Sequence, residues 1–252
     1  IDIGRRFGKN AAWGIRVNAL NQGGTLARFG EKREARNLFI NIDHYDKHSR
    51  TNLLLGYEYK RVSGKTLYFA PGRNLNALPA PPDGDANMMP EWSYFQSTTK
   101  LATLSHEQRF DAHWTAFFNA GVKSYERPVS MSNSNTSLLA DGDGNFTGRF
   151  RENVTLNASK SLKYYIGAGV RVHHDFGETK NELVVGVDTA YAKNWSASSK
   201  TLATIVGNLY GQNRWAEPTY DHTPLRLSSK TVVSGISAVD TVNLFGDKLL
   251  LN

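Results

Sequence analysis

The chain has 252 residues, 40% of them apolar, with 11 Tyr, 12 Phe, 5 Trp, no cysteine and a formal charge of +7. The missing cysteines exclude a disulfide framework and any cysteine-based metal site. No window approaches the roughly 20 continuous apolar residues of a spanning helix, and Lys and Arg are scattered rather than gathered into a nucleic-acid-binding run.

Residues 1–6 read as a strand end, and Phe7-Gly8-Lys9-Asn10 as a tight turn. The next strand runs over residues 12–21, with Trp13, Ile15, Val17 and Ala19 on one face and Arg16 and Asn18 on the other. Residues 21–31, with three glycines, read as a loop. Residues 37–45 then alternate: Leu38, Ile40 and Ile42 share a face, opposite Phe39, Asn41 and Asp43. After Lys47-His48-Ser49-Arg50, Leu53, Leu55, Tyr57 and Tyr59 share a face against Asn52, Glu58 and Lys60. A period of two on both sides of a short polar turn means two long antiparallel strands, each with one apolar side. With their flanks they reach the roughly 9–11 residues that cross a bilayer as a tilted strand.

Residues 68–90 hold five prolines and glycines between Pro71 and Pro82 plus Gly84, and read as a long loop. Strands resume over residues 93–110, turn at Asp111-Ala112-His113 and return through residues 114–125. Residues 128–148, rich in Ser, Asn, Asp and Gly, read as another loop. A long strand over residues 149–176 aligns Tyr164, Ile166, Ala168, Val170 and Val172, and residues 159–161 look irregular. Gly177-Glu178-Thr179 turns the chain into residues 181–193, with Leu183, Val185, Val187 and Tyr191 on one side. Residues 195–227 read as a long loop, residues 231–244 as the last full strand with less clean alternation, and Gly246-Asp247 as a turn.

Short connections (near residues 7, 47, 111, 177 and 246) alternate strictly with longer ones (near residues 21, 68, 128 and 195). All short turns therefore lie at one end of the strands and all long loops at the other, the arrangement of an outer-membrane barrel. Trp13, Tyr45, Tyr57, Tyr59, Trp92, Trp114, Tyr164 and Tyr191 fall near strand ends, as interfacial girdles would. The mean hydropathy of -0.46 fits, because only every second strand residue meets lipid. Solvated loops and a polar lumen account for most of the positive charge, with contact to anionic outer-leaflet lipid as the second reading.

Three stretches carry a family likeness. Asp2-Ile3-Gly4-Arg5-Arg6-Phe7-Gly8 with Trp13-Gly14-Ile15-Arg16-Val17-Asn18-Ala19 resembles the first barrel hairpin of TonB-dependent siderophore receptors. Leu78-Pro79-Ala80-Pro81-Pro82-Asp83-Gly84 with Trp92-Ser93-Tyr94 resembles their long loop after the fourth strand, and Trp114-Thr115-Ala116 through Ala120-Gly121 a later strand. The resemblance implies an all-β fold: an antiparallel transmembrane barrel segment, about ten strands of a 22-stranded barrel, in the outer membrane of a Gram-negative bacterium. Residues 1–252 would be one partial barrel domain, lacking the plug and the C-terminal strands. The implied function is uptake of ferric siderophore complexes, energised by the inner-membrane TonB complex through the plug. The siderophore is cargo, and no cofactor is expected.

No catalytic constellation stands out, and an enzyme is not expected. His173-His174 are adjacent in a strand and point to opposite faces, so they cannot share a metal. Asp141-Gly142-Asp143-Gly144-Asn145 mimics a calcium loop, but Phe146 stands where the sharp turn needs glycine; an Asp/Gly turn is the better reading. Gly142–Gly144 lacks the Lys-Ser/Thr pair of a phosphate loop. Candidate ligand residues are therefore aromatic and basic side chains in the long loops: Tyr68, Phe69, Arg73, Trp92, Tyr94, Tyr210 and Trp215. Flat rings and guanidinium donors suit a bulky, often anionic siderophore. Two other functions fit parts of the pattern: a passive porin built from the same staves, and a soluble β-sandwich binding module.

Overall fold

The computed structural model describes residues 1–64, 75–177, 179–222, 224–244 and 249–251. Among them lie eleven strands: β1 Asp2–Phe7, β2 Trp13–Thr25, β3 Lys32–Tyr45, β4 Ser49–Ser63, β5 Tyr94–Arg109, β6 Trp114–Ala140, β7 Phe146–Phe176, β8 Thr179–Ser196, β9 Lys200–Asn208, β10 Arg226–Leu244 and β11 Leu249–Leu251. All are antiparallel and form one sheet. Ten follow each other around it in chain order, and β9 alone leaves that path, pairing with β7. Nearest-neighbour order throughout is the topology of an up-and-down barrel wall.

Register decides which side chains share a face, because residues directly opposite in a ladder point the same way. One row runs Ile3, Val17, Ile40, Leu55, Ala102, Val122, Tyr164, Tyr191 and Val232, strand by strand from β1 to β10. A second runs Ile15, Ile42, Leu53, Leu104, Ala120, Ile166 and Thr189. No second sheet covers this face among the described residues: Ile166 of the second row is 48% exposed, and Val187 and Ile236, paired in the next row, are 54% and 83% exposed. An apolar face of this extent left open to water would be an aggregation surface; in an outer-membrane barrel it faces lipid. Trp13, Tyr57, Trp114 and Tyr164 share that face and are exposed, and the Tyr164 and Tyr191 rings stack at 6.3 Å. Tyr45 and Trp92 are not part of the girdle. Tyr45 turns to the opposite side, where the Arg6 guanidinium lies over its ring, and Trp92 packs among the loops.

The opposite face is polar. Arg6 pairs with Asp43 at 2.9 Å, Asn52 donates to the Asn41 side chain at 3.0 Å, and both Arg171 and His173 lie by Glu182. His174 points the other way, against Phe176. On this lumen side the tip of the Phe117 ring comes against Gly169, its partner across the ladder, where any Cβ would collide with the ring and with the Val185 carbonyl.

The connections sort by rim as the sequence predicts, with three differences in length. The loop expected at residues 21–31 is shorter, because Gly23 and Gly24 stay in the ladder opposite Glu34 and Arg33. The loop expected at residues 128–148 is a strand hairpin: β6 and β7 continue to Ala140 and Phe146, and only Asp141–Asn145 turns. Pro128 is accommodated where the β6–β7 register slips between Arg127 and Ser130, so its missing N–H costs no ladder bond. That slip lies opposite residues 157–159, beside the irregularity expected at 159–161. Within residues 195–227, β9 forms a ladder with β7 that period-two reading of the loop did not reveal. The turn at Gly246-Asp247 lies outside the described residues. β7, at 31 residues, is roughly 100 Å of extended chain, several times the thickness of a bilayer core. The outer halves of β6 and β7 therefore stand clear of the membrane.

Candidate functional site

The buried core of the described residues lies in this projecting region. Met89, Val129, Met131, Val154, Leu156 and Ile205 form one cluster, with Trp92, Tyr94, Trp215 and Tyr220 packed against it. Met88, Leu138, Phe150 and Leu209 form a second, flanked by Leu75, Phe146 and Trp215. Phe150, Val154 and Met89 are essentially inaccessible. Because β7 keeps its alternation, Phe150, Val154 and Leu156 occupy the same sheet face as Tyr164 and Ile166 farther along the strand. Where lipid ends, the loops take over as the covering.

The loop after β4 and the loop after β9 are sewn together over this face. The Asn87 amide donates to the Asn213 carbonyl at 2.8 Å, and Asn213 returns bonds from its backbone N–H to Asn87 Oδ1 at 2.6 Å and from its side chain to the Asn87 carbonyl at 2.9 Å. Asn213 Oδ1 also accepts the Asn208 N–H, closing the turn after β9. Trp92 Nε1 donates to the Trp215 carbonyl at 3.1 Å, and Trp215 Nε1 to the Val206 carbonyl at 3.0 Å. Gly207 makes the close packing feasible: a Cβ there would sit 2.6 Å from the Phe150 ring and 2.8 Å from that of Trp215. The hairpin tip joins as well: the Asn76 side-chain amide donates to the Asp143 carbonyl at 2.6 Å, and its backbone N–H to the Gly144 carbonyl at 2.9 Å.

Of the predicted ligand residues, Tyr68, Phe69 and Arg73 lie outside the described residues. Trp92, Tyr94 and Trp215 come together in the first cluster. The Arg61 guanidinium stacks 4.0 Å from the Tyr94 ring. Burial first, and then the hydrogen bond to Tyr94, push the Tyr220 hydroxyl up to about 12. Tyr210 stands apart from them, 45% exposed, edge-on to Phe146, with its hydroxyl donating to the Ala80 carbonyl at 3.1 Å. Their ring N–H and hydroxyl groups are thus largely engaged within the cap, which leaves the Tyr210 ring as the most open aromatic surface of the four. Sequence reading missed the Asn87–Asn213 clasp. Its members are 126 positions apart, and no local pattern marks either.

The short-turn rim is simpler. Asp46 accepts the backbone N–H groups of His48 and Ser49, and Asp111 those of His113 and Trp114. At the hairpin tip, Asp141 accepts those of Asp143 and Asn145, the Asp/Gly turn that its sequence suggests. In each case these backbone donors hold the carboxyl below its ordinary value.

No family model matches the chain. The ferrichrome receptor FcuA of Yersinia enterocolitica is 25% identical over the whole chain, which spans 32% of that protein. Among solved structures, the ferric preacinetobactin receptor BauA of Acinetobacter baumannii superposes with a TM-score of 0.88 at 21% identity, covering 99% of this chain and 37% of that one. The ferripyoverdine receptor of the Pseudomonas aeruginosa outer membrane superposes at 0.74 and 13% identity, covering 97% and 33%. The chain thus spans about a third of the length of the relatives it matches. In sequence along its whole length and in the fold of its sheet, it is a stretch of outer-membrane barrel wall resembling the TonB-dependent siderophore receptors.

Proposed function

We propose that this chain is part of the wall and outer cap of a receptor that takes up ferric siderophore complexes, energised through TonB by a plug lying elsewhere in the protein. The observation that carries this reading is the built cap: one rim has turns of a few residues, and the other a two-cluster core tied by long-range side-chain bonds. A passive pore needs no such investment at its mouth, whereas a high-affinity receptor needs a rigid surface to present ligand groups. The proteins it resembles are named as receptors for iron-chelate ligands, not as enzymes.

In this reading Tyr68, Phe69, Arg73 and the open face of Tyr210 meet the siderophore, while Trp92, Tyr94 and Trp215 hold the surface in shape. The test uses the full-length receptor in an iron-limited strain supplied with radiolabelled ferric hydroxamate, catecholate and mixed-ligand siderophores. Uptake of at least one, abolished by deleting TonB, is the expected result. Steady ion conductance of the purified receptor in a planar bilayer, with no TonB-dependent uptake, would establish the porin instead. Tyr210→Ala should weaken binding of the transported siderophore with unchanged expression. Trp215→Ala should lower both binding and the resistance of the cap to protease.

A further inference from the structure

We propose that His113 and His174, at the short-turn rim, form a two-imidazole site for a divalent transition-metal ion of the zinc and copper class. Six of the seven histidines of the chain lie in or within a few residues of the short turns. Three of them have other partners: the His44 ring lies against Trp13 at 4.6 Å, His106 bonds Thr51 at 2.9 Å, and His173 faces Glu182 at 3.3 Å. His113 and His174 are both exposed, and their ring centres stand 6.3 Å apart. Among the described residues they are the one pair of imidazoles in ring contact.

The way the chain closes the β6–β7 ladder prepares His113 as a ligand. The His173 N–H donates to the His113 carbonyl at 2.8 Å. The return bond of such a rung would come from the His113 N–H, but Asp111 Oδ1 takes that donor at 2.7 Å. The ring supplies the bond instead: His113 Nδ1 donates to the His173 carbonyl at 3.0 Å. A carbonyl only accepts, so the neutral ring carries its proton on Nδ1 and leaves the Nε2 lone pair free. An imidazole with Nδ1–H on a backbone carbonyl and Nε2 open is the arrangement that metal-ligating histidines adopt. The His174 ring rests edge-on against Phe176 at 4.1 Å and engages neither nitrogen among the described residues.

An ion about 2.0–2.1 Å from each nitrogen lies roughly 3 Å from each ring centre, so rings with centres up to roughly 6 Å apart can share it. The observed spacing is at the edge of that reach, and His174, which no hydrogen bond holds, turns to close the remainder. No group of three or more candidate ligands occurs among the described residues, and the Asp111 carboxylate is already engaged by two backbone N–H groups. Water therefore fills the other positions. Imidazole donors select copper, zinc and nickel over magnesium and calcium. The bound ion ties the turn after β5 to the end of β7.

The site lies at the rim opposite the cap and does not depend on the ferric cargo, so it survives or fails independently of the transport reading. The test uses the full-length receptor, purified in detergent without a histidine tag. It is titrated with Zn²⁺ by calorimetry and with Cu²⁺ by electron paramagnetic resonance. His113→Ala and His174→Ala should each weaken Zn²⁺ binding by roughly 10–100-fold or more, the loss that follows even when a group that only orients a ligand is removed. Cu²⁺ should show coupling to two imidazole nitrogens in the wild type and to one in each variant. Zn²⁺ should slow amide exchange at Trp114 in the wild type alone, and its affinity should fall in acid, because protons compete for the same lone pairs. His173→Ala removes a ring from the opposite face but keeps the carbonyl that holds His113, and should bind Zn²⁺ as the wild type does. Absence of Zn²⁺ binding in the wild type would overturn the proposal. So would binding unchanged in both variants, or an equal loss in His173→Ala, which would put the ion elsewhere on the rim. Unaltered heat-dependent gel mobility of each variant confirms that the barrel has formed.

Discussion

β7 passes through two environments without changing its pattern. In its inner half Tyr164, Ile166 and Val170 alternate with Tyr165, Gly167 and Arg171; in its outer half Phe150, Val154 and Leu156 alternate with Arg149, Asn153 and Thr155. The same side of the strand is mainly apolar in both, although the outer half also buries Glu152 on it. Below, Ile166 is 48% exposed to whatever surrounds the barrel; above, Phe150 and Val154 are at 0%. Period-two alternation states that one face avoids water. It does not state whether lipid or protein covers that face. The consequence is energetic. A lipid-facing side chain can be shortened without opening a void, since acyl chains fill the gap, whereas a side chain in the cap leaves a cavity.

The largest break in this comparison should come from Phe150→Ala. Removing a fully buried ring from the second cluster should cost about 3–5 kcal/mol, concentrated in the cap: limited proteolysis should cut residues 128–158 and 200–222 rapidly while the barrel keeps its heat-dependent gel mobility. Ile166→Arg should come next. A charge in the middle of the lipid-facing rows should cost about 2–4 kcal/mol, read as reduced barrel folding in urea titrations in vesicles, with cap proteolysis unaffected in molecules that fold. Ile166→Ala at the same site should cost far less than Phe150→Ala; equal costs would mean that protein also covers the lower face.

Asn213→Ala sharpens the picture of the cap. It removes the side-chain donor of the Asn87 carbonyl and the acceptor of the Asn208 N–H, which opens the turn after β9. The Asn87 side chain keeps its bonds to the backbone of residue 213, and the substitution should cost about 1–3 kcal/mol. Faster hydrogen exchange at Asn208 and Tyr210, with unchanged exchange in β3 and β4, is the expected signature. The smallest effect is on the turns. Asp46, Asp111 and Asp141 have folded values below the ordinary 3.8. Their contribution is full above pH 3.8 and is lost as pH falls through those lowered values. Amide exchange at His113 and Trp114 should therefore quicken in acid below that point, and Asp111→Asn should remove most of the pH dependence.

The cap also shows where composition misleads. Residues 128–140 carry Pro128 and a run of Ser and Asn, a poor strand composition, yet β6 persists because β7 offers a partner ladder along its length and the register slip absorbs the proline. Lys200–Asn208 is a strand only because Arg149–Leu156 presents an edge that β8, ending at Ser196, leaves free. Pairing across some fifty positions has no local signature. The less regular facing of β10 has a plain cause too: Ser234 and Asp240 sit on the lipid side, and Asp240 accepts a hydrogen bond from Asn181 across the ladder. The ligand candidates chosen for their chemistry divide for the same reason. Residue type marked Trp92, Tyr94, Tyr210 and Trp215 as recognition groups, but only packing separates an anchor from an open ring.

From its residues alone, this chain determined the strands around Leu38, Leu53, Ala116 and Tyr164, their antiparallel succession, and the rim to which each connection belongs. Those features follow from side-chain period and turn chemistry, which act over a few residues. The tertiary structure alone decided that β6 and β7 rise past the membrane, that β9 joins them, and that Asn87 and Asn213 clasp two distant loops. Those outcomes depend on which surfaces meet in space, and burial is a property of neighbours that a strand does not carry within itself.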